Sequence, residues 1–266
     1  MLINSNYDDE TKETIKSWAT AIGLQQVDGL TPSKFLQILA TKNINGIISN
    51  EELEAILSRF YKVQDLSNKE LRNKMECDIV SNRIVDYLNS DTSFEISPNM
   101  LKEIHYNLFK DVYSFAGNYR KCNLDKEENI LNGNTVMYAD YNKISDYLDY
   151  DFNIELNYNY DELPMDKRIK RLARFISNIW QAHPFREGNT RTISVFLIKY
   201  LKSRGYNIDN SVFMENSLYF RNALAIDNHP IMSLQSSDYL IKFFENLVLN
   251  TNYKLDIIEQ NNIIRR

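Results

Sequence analysis

The sequence predicts an all-α protein, and three observations carry that expectation. Apolar residues recur at three- and four-residue spacing along several long stretches, the period of one helix face. Glycine and proline, the two helix breakers, number only 7 and 5 in 266 residues. Alternation of the strand kind is visible in one short segment, around residues 128–138.

Taken in order, Asp9–Ile22, Pro32–Ala40 and Glu51–Tyr61 read as helices. Between the second and third, residues 41–52 partly mimic a calcium loop, with Gly46, Ile48 and Glu52 at its sixth, eighth and twelfth positions. Thr41, Asn43 and Asn45 leave too little charge there for tight calcium. A helix stop at Gly46 followed by a capping box, Ser49-x-x-Glu52, is the better reading. These helices define an N-terminal region, residues 1–75, expected to pack on a larger domain over 76–266. Leu101–Phe109 is a further helix whose apolar face gives His105 a structural place. Asn132, Gly133 and Asn134 are a hairpin-turn signal between Glu128–Leu131 and Thr135–Tyr138. Ile169, Leu172, Phe175, Ile176 and Ile179 mark a helix over 165–182, with Pro164 and Asp166 suited to its start. Ile193, Phe196, Leu197, Tyr200 and Leu201 mark the next one, closing at Gly205.

Composition bounds the function classes. A net charge of −5 with 43% hydrophobic residues suits a folded, soluble chain and argues against a nucleic-acid binder. The basic run at 167–174 reads as a solvated helix face. No apolar run approaches a membrane span and the N-terminus lacks a signal core, so a cytoplasmic location is expected. Cys77 and Cys122 read as free thiols of a reducing compartment. His105, His183 and His229 are too scattered for a zinc site.

The most informative string is HPFREGNTRT, residues 183–192, between the two helices just described. His183 can be neutral near pH 7 and accept a proton from an attacking hydroxyl. Glu187 offers a hard oxygen to Mg²⁺ held between phosphates. Gly188, Asn189, Thr190 and Arg191 fall at a helix start, where free N–H groups and the helix dipole attract phosphate. The amide of Asn189 suits a phosphoryl oxygen, and Arg191 adds a planar fork. Phe185 is expected to turn inward and anchor the loop.

This string resembles the Fic motif, His-x-Phe-x-(Asp/Glu)-Gly-Asn-Gly-Arg-x-x-Arg. The stretch at 101–120 and YFRNAL at 219–224 are similar to neighbouring parts of that family, so the resemblance spans about residues 80–250. It implies a helical core with a small β-hairpin flap, about residues 124–139, and a motif over 183–194. It implies transfer of AMP from ATP, with Mg²⁺, to a Tyr, Thr or Ser hydroxyl of a protein target. The 17 tyrosines add self-modification to the expectations, and a homo-oligomer stays open beside it. His183 would be the base and Glu187 the metal ligand. Gly188, Asn189, Thr190 and Arg191 would cradle the phosphates, and the flap edge, Thr135, Val136, Met137 and Tyr138, would dock the target. Two positions depart from the pattern. Thr190 replaces a glycine and requires a negative φ, and Ser194 stands where the second arginine would be. The missing arginine predicts weaker ATP binding or a looser hold on the γ-phosphate, and no strong self-inhibition through it. The string Ser211 to Asn216, which matches the family's inhibitory motif around Glu215, is accordingly read as chance. The alternatives are phosphorylation of the target, transfer of another nucleotide monophosphate or of phosphocholine, removal of AMP, and a non-catalytic interaction protein.

Overall fold

A computed structural model describes residues 7–256, and these form ten α-helices with short 3-10 turns and no named strand among them. The chain divides into two compact units. One contains the residues up to Ser93 together with Asn210–Ser217. The other contains Phe94–Asp209 and the residues from Leu218 on.

The first unit holds α1 (Asp9–Gln25), α2 (Lys34–Ile44), α3 (Asn50–Lys62) and α4 (Lys69–Asn89). Each starts on a side-chain cap, from Asp8, Ser33, Ser49 and Asn68 in turn, which satisfies N–H groups that no helical carbonyl reaches. Ser49 and Glu52 form the expected capping box, and Gly46 ends the preceding turn with φ 67°. α4 packs on α1 and α3 around Trp18, Leu24, Leu53, Leu57 and Ile84. Where residues 210–217 rejoin this unit, a Cβ on Gly23 would lie 2.5 Å from the Met214 Cα. Only glycine allows the two backbones so close.

The second unit is built around α8 (Asn189–Ser203), packed by α5 (Pro98–Phe109) and α7 (Met165–Ala182). α6 (Ile144–Leu156) and α10 (Asp238–Leu249) pack on α7. α9 (Val212–Asp227) gives its first turns to one unit and the rest to the other. The sequence shows one apolar stripe on α8, yet every residue from Asn189 to Ile198 is buried, Thr192 and Ser194 included. A helix covered on all sides has no solvated face, so its polar side chains are enclosed with the rest. Phe152, Phe175 and Phe196 meet edge to face, at ring separations of 5.2 and 5.6 Å from Phe152, and join α6, α7 and α8.

The hairpin expected at 124–139 takes another form. Glu127 and Thr135 make a single antiparallel bridge, and Asn129–Leu131 is a 3-10 turn. Ile130 and Leu131 are adjacent and both buried, which a strand cannot do with one face inward. The turn residues still do their work, with Asn132 at φ 56° and Gly133 at φ 82°. No described helix is long and apolar enough to cross a membrane.

Candidate active site

α7 ends on His183 itself. The residue adopts φ 44°, and its N–H returns to the Trp180 carbonyl at 3.0 Å. This left-handed step turns the chain out of the helix and into the 184–188 loop. Phe185 is fully buried and stacks on His105 at 3.8 Å, as its inward anchoring role requires. The Asn189 amide closes the loop from both ends. Its Nδ2 donates to the Phe185 carbonyl at 2.7 Å, and its Oδ1 accepts the Phe185 N–H at 2.9 Å. The group expected to meet a phosphoryl oxygen thus holds the loop shut, and Asn189 presents its backbone N–H instead. Gly188 precedes α8 with φ 78°, and a Cβ there would lie 2.6 Å from the Phe109 ring. Two independent constraints therefore require glycine. The first helical bond runs from the Thr192 N–H to the Gly188 carbonyl, so the N–H groups of Asn189, Thr190 and Arg191 precede the intrahelical ladder.

His183 is 4% exposed, and its Nδ1 is buried without a hydrogen-bond partner. Burial pushes its pKa well below the ordinary 6.5, and the charges of Lys126, Arg120 and Arg221 push the same way. The imidazole is therefore neutral at pH 7 and able to take a proton. Tyr138 covers it with ring centres 4.2 Å apart. Arg120 fixes its backbone: Nε donates to the His183 carbonyl at 2.8 Å, and the Arg120 N–H donates to the Pro184 carbonyl at 2.8 Å. The same guanidinium reaches the carbonyls of Cys122 and Ala139, tying both ends of the flap to the motif. The side chain of Cys122 is exposed, and Cys77 is buried.

His105 supports the loop from below. Its Nε2 donates to the Glu187 carbonyl at 3.1 Å, and its Nδ1 accepts the Gly117 N–H at 2.8 Å. Burial lowers its pKa to about 4, so it stays neutral in this bridging tautomer. The Arg191 guanidinium lies 4.8 Å over the Phe109 ring, with Nη2 3.3 Å from the Tyr113 hydroxyl. Thr190 sits in the first turn of α8, and its hydroxyl accepts from the Trp180 indole at 3.1 Å. The Ser194 hydroxyl is buried without a partner. The Glu187 carboxylate is half exposed and 3.9 Å from the Lys126 ammonium. His229 accepts the Ile231 N–H on Nδ1, a structural use.

Of the flap residues, Met137 is exposed, Val136 is buried and Tyr138 lies half-buried over His183. The Tyr138 hydroxyl donates to Glu128 at 3.0 Å, and Arg221 pairs with the same carboxylate at 2.9 Å. Beside the flap, a cleft of about 510 Å³ is lined by Met137, Tyr138, Tyr147, Tyr150, Asp151 and Gln181. The fold thus gathers His183 and residues 187–191 on one loop and helix start, and brings Tyr138 to them. Sequence reasoning missed Arg120, Lys126, Glu128 and Arg221 as site residues. They lie up to 101 positions apart in no local pattern, and nothing in the sequence beyond their being charged hints at them.

The Fic/DOC family model matches residues 95–201. The protein adenylyltransferase VbhT of Bartonella schoenbuchensis is 29% identical over 110 residues, covering 41% of this chain and 22% of that protein. The probable protein adenylyltransferase y4lH of Sinorhizobium fredii is 30% identical over 120 residues, covering 41% of this chain and 55% of that protein. The chain thus spans from about a fifth to about half of these curated relatives. Among solved structures, BepC of Bartonella tribocorum with bound AMPPNP superposes with a TM-score of 0.55 at 18% identity, over 68% of this chain and 88% of that one. The N-terminal Fic domain of a Bep effector from Bartonella quintana gives 0.54 at 20% identity, over 68% and 84%. At these identities the superpositions speak for the fold.

Proposed function

We propose that this chain is a protein adenylyltransferase, moving AMP from ATP to a Tyr, Thr or Ser hydroxyl of a protein target, a reading supported by the match of the Fic/DOC family model to residues 95–201. The observation that carries the reading is a neutral, buried His183, its Nδ1 without a partner, at the mouth of a helix whose first N–H groups face the same loop. The names of the two curated relatives support it, as does the nucleotide analogue bound to the BepC neighbour.

In this reaction the target oxygen forms a bond to the α-phosphorus, and the bond from that phosphorus to the bridging oxygen breaks. Pyrophosphate leaves, and the hydroxyl proton passes to the His183 imidazole. The N–H groups of Asn189, Thr190 and Arg191 and the Arg191 guanidinium hold phosphate oxygens as charge develops on them. Arg120 and His105 keep the loop rigid, so the base stays aligned. Glu187 is a fitting ligand for Mg²⁺ brought by the nucleotide, because its carboxylate is half exposed and touched only distantly by Lys126. The ion would neutralise charge on the departing pyrophosphate. The target would lie along Thr135–Tyr138, with one of its side chains in the cleft beside Met137. Self-modification on a tyrosine and a cytoplasmic site of action fit the same reading.

The test is label transfer into protein, with a cell extract as acceptor, using Mg²⁺ and ATP labelled at the α- or the γ-phosphate. We expect incorporation from the α label alone, abolished by His183→Ala. Incorporation from γ alone would establish phosphorylation instead, and incorporation from neither would refute transfer.

A further inference from the structure

The cleft beside the flap takes a side chain of the target in the reading above, and its walls say which kind. At about 510 Å³ it has the size of an ordinary ligand pocket. Tyr138 and Ala182 line it; the first lies on the His183 ring and the second precedes His183 in the chain, so the cleft adjoins the base. α6 supplies Tyr147, Tyr150 and Asp151, a spacing of three and four residues that puts two aromatic rings and a carboxylate on one helix face. Tyr147 and Tyr150 are 53% and 66% exposed, and Met137 beside them is exposed too, and large apolar side chains gathered bare around one recess mark a binding surface. The Asn178 Nδ2 donates to one Asp151 oxygen at 2.9 Å, and the other oxygen has no donor among the described residues. Burial raises the Asp151 pKa, and Asn178, Arg171 and Arg174 offset only part of that, so the carboxylate lacks some of the compensation that a cation gives. Arg171 is itself paired with Glu155 at 2.9 Å. In and around the cleft the carboxylates of Asp140, Asp146, Asp149 and Asp151 outweigh Arg174 and Lys143, and Lys143 is already paired with Asp146.

We propose that this cleft selects the target by receiving a lysine or arginine side chain close in sequence to the modified hydroxyl, with the Tyr147 and Tyr150 rings against its cation and Asp151 as its counter-ion. In an extended segment, side chains alternate and advance about 3.3 Å per residue, so a near neighbour of the modified residue reaches the cleft while the hydroxyl faces the base. The inference rests on the nucleotide-transfer reading and names the class of target it requires, a hydroxyl with a basic residue beside it.

Synthetic peptides test it. Each carries a central tyrosine, threonine or serine, with lysine, arginine, alanine or glutamate at one of the flanking positions, and is offered to the full chain with Mg²⁺ and α-labelled ATP. We expect a basic residue at one flanking position to raise the labelling rate roughly tenfold over alanine, and glutamate there to lower it. Asp151→Asn should bring the ratio of basic to alanine peptides close to unity, Asp151→Glu should keep it, and Asp151→Lys should turn the preference to glutamate. Tyr150→Leu should reduce the ratio roughly threefold. The ratio is the deciding readout, because a purely structural loss slows all peptides alike. Equal rates for basic, neutral and acidic peptides, or an unchanged ratio in Asp151→Asn, overturns the proposal while leaving nucleotide transfer standing. A wild-type preference for glutamate, which would give the cleft to Arg174, does the same, as does labelling of a cell extract but of no peptide. Labelling of neither refutes nucleotide transfer and this inference with it. Should Asp151→Asn not fold, Tyr150→Leu, at an exposed position, decides.

Discussion

His183 combines a left-handed backbone with a fully enclosed ring, and both features bear on its chemistry. Burial and the three nearby cations hold its pKa below 6.5, so the acid limb of the rate profile should lie below that pH. The transfer rate is expected to stay flat from pH 8 down to about 6.5. An inflection near 7 in kcat/KM would show that the ring is not held in this environment. Gly188, in the same loop, is as constrained as His183. Gly188→Ala adds a methyl 2.6 Å from the Phe109 ring at φ 78°. It should cost roughly 2–5 kcal/mol, from overpacking and left-handed strain together, measured by denaturant unfolding. Asn189 illustrates what a motif letter conceals. Its amide is spent on Phe185, a contact four residues back that depends on the loop's closure rather than on residue type.

Among the elements, the helices were legible and the flap was not. α7 follows the bounds its apolar period indicates, and α8 begins where the free N–H argument places it, because helix period and caps are local properties. The flap depends on non-local partners. Ile130 and Leu131 bury together in a 3-10 turn, and Glu128 turns to Arg221 on α9, neither of which alternation reveals. Arg120 is the bond between flap and motif, and lysine, whose donors all sit on one nitrogen, cannot span the same carbonyls. Arg120→Lys should lower the single-turnover transfer rate by roughly 10–100-fold in a folded protein, and a change of no more than about twofold would rule out that role. In the other unit, Ser49→Ala removes one half of a capping box and should cost roughly 1 kcal/mol by thermal or denaturant unfolding.

For the molecule as a whole, all three histidines are buried with lowered pKa values and contribute to the response to acid, His105 and His183 among them. Burial lowers the pKa of His105 to about 4 and of His183 well below 6.5. As pH falls below about 6.5 the unfolded chain therefore binds protons that the folded chain refuses. Their contribution is complete above that pH and is lost progressively on the way down to the folded values, by about 1.4 kcal/mol per pH unit for each histidine. Urea midpoints measured between pH 7.5 and 4.5 should fall accordingly, and His105→Gln should flatten the curve. An unchanged slope in that variant would remove His105 from the account. The candidate site residues are concentrated in 183–191, but the charges that act on His183 are distributed from Arg120 to Arg221, so the candidate site belongs to the fold more than to its motif.

The placement of the two thiols supplies a spectroscopic handle that needs no engineering. Cys77 is enclosed, and Cys122 is exposed with its carbonyl in the grip of Arg120. A maleimide fluorophore added to the native chain should therefore attach at Cys122, which Arg120 links to His183. Its anisotropy would then report, in real time, whether adding nucleotide changes the motion of the chain held by Arg120.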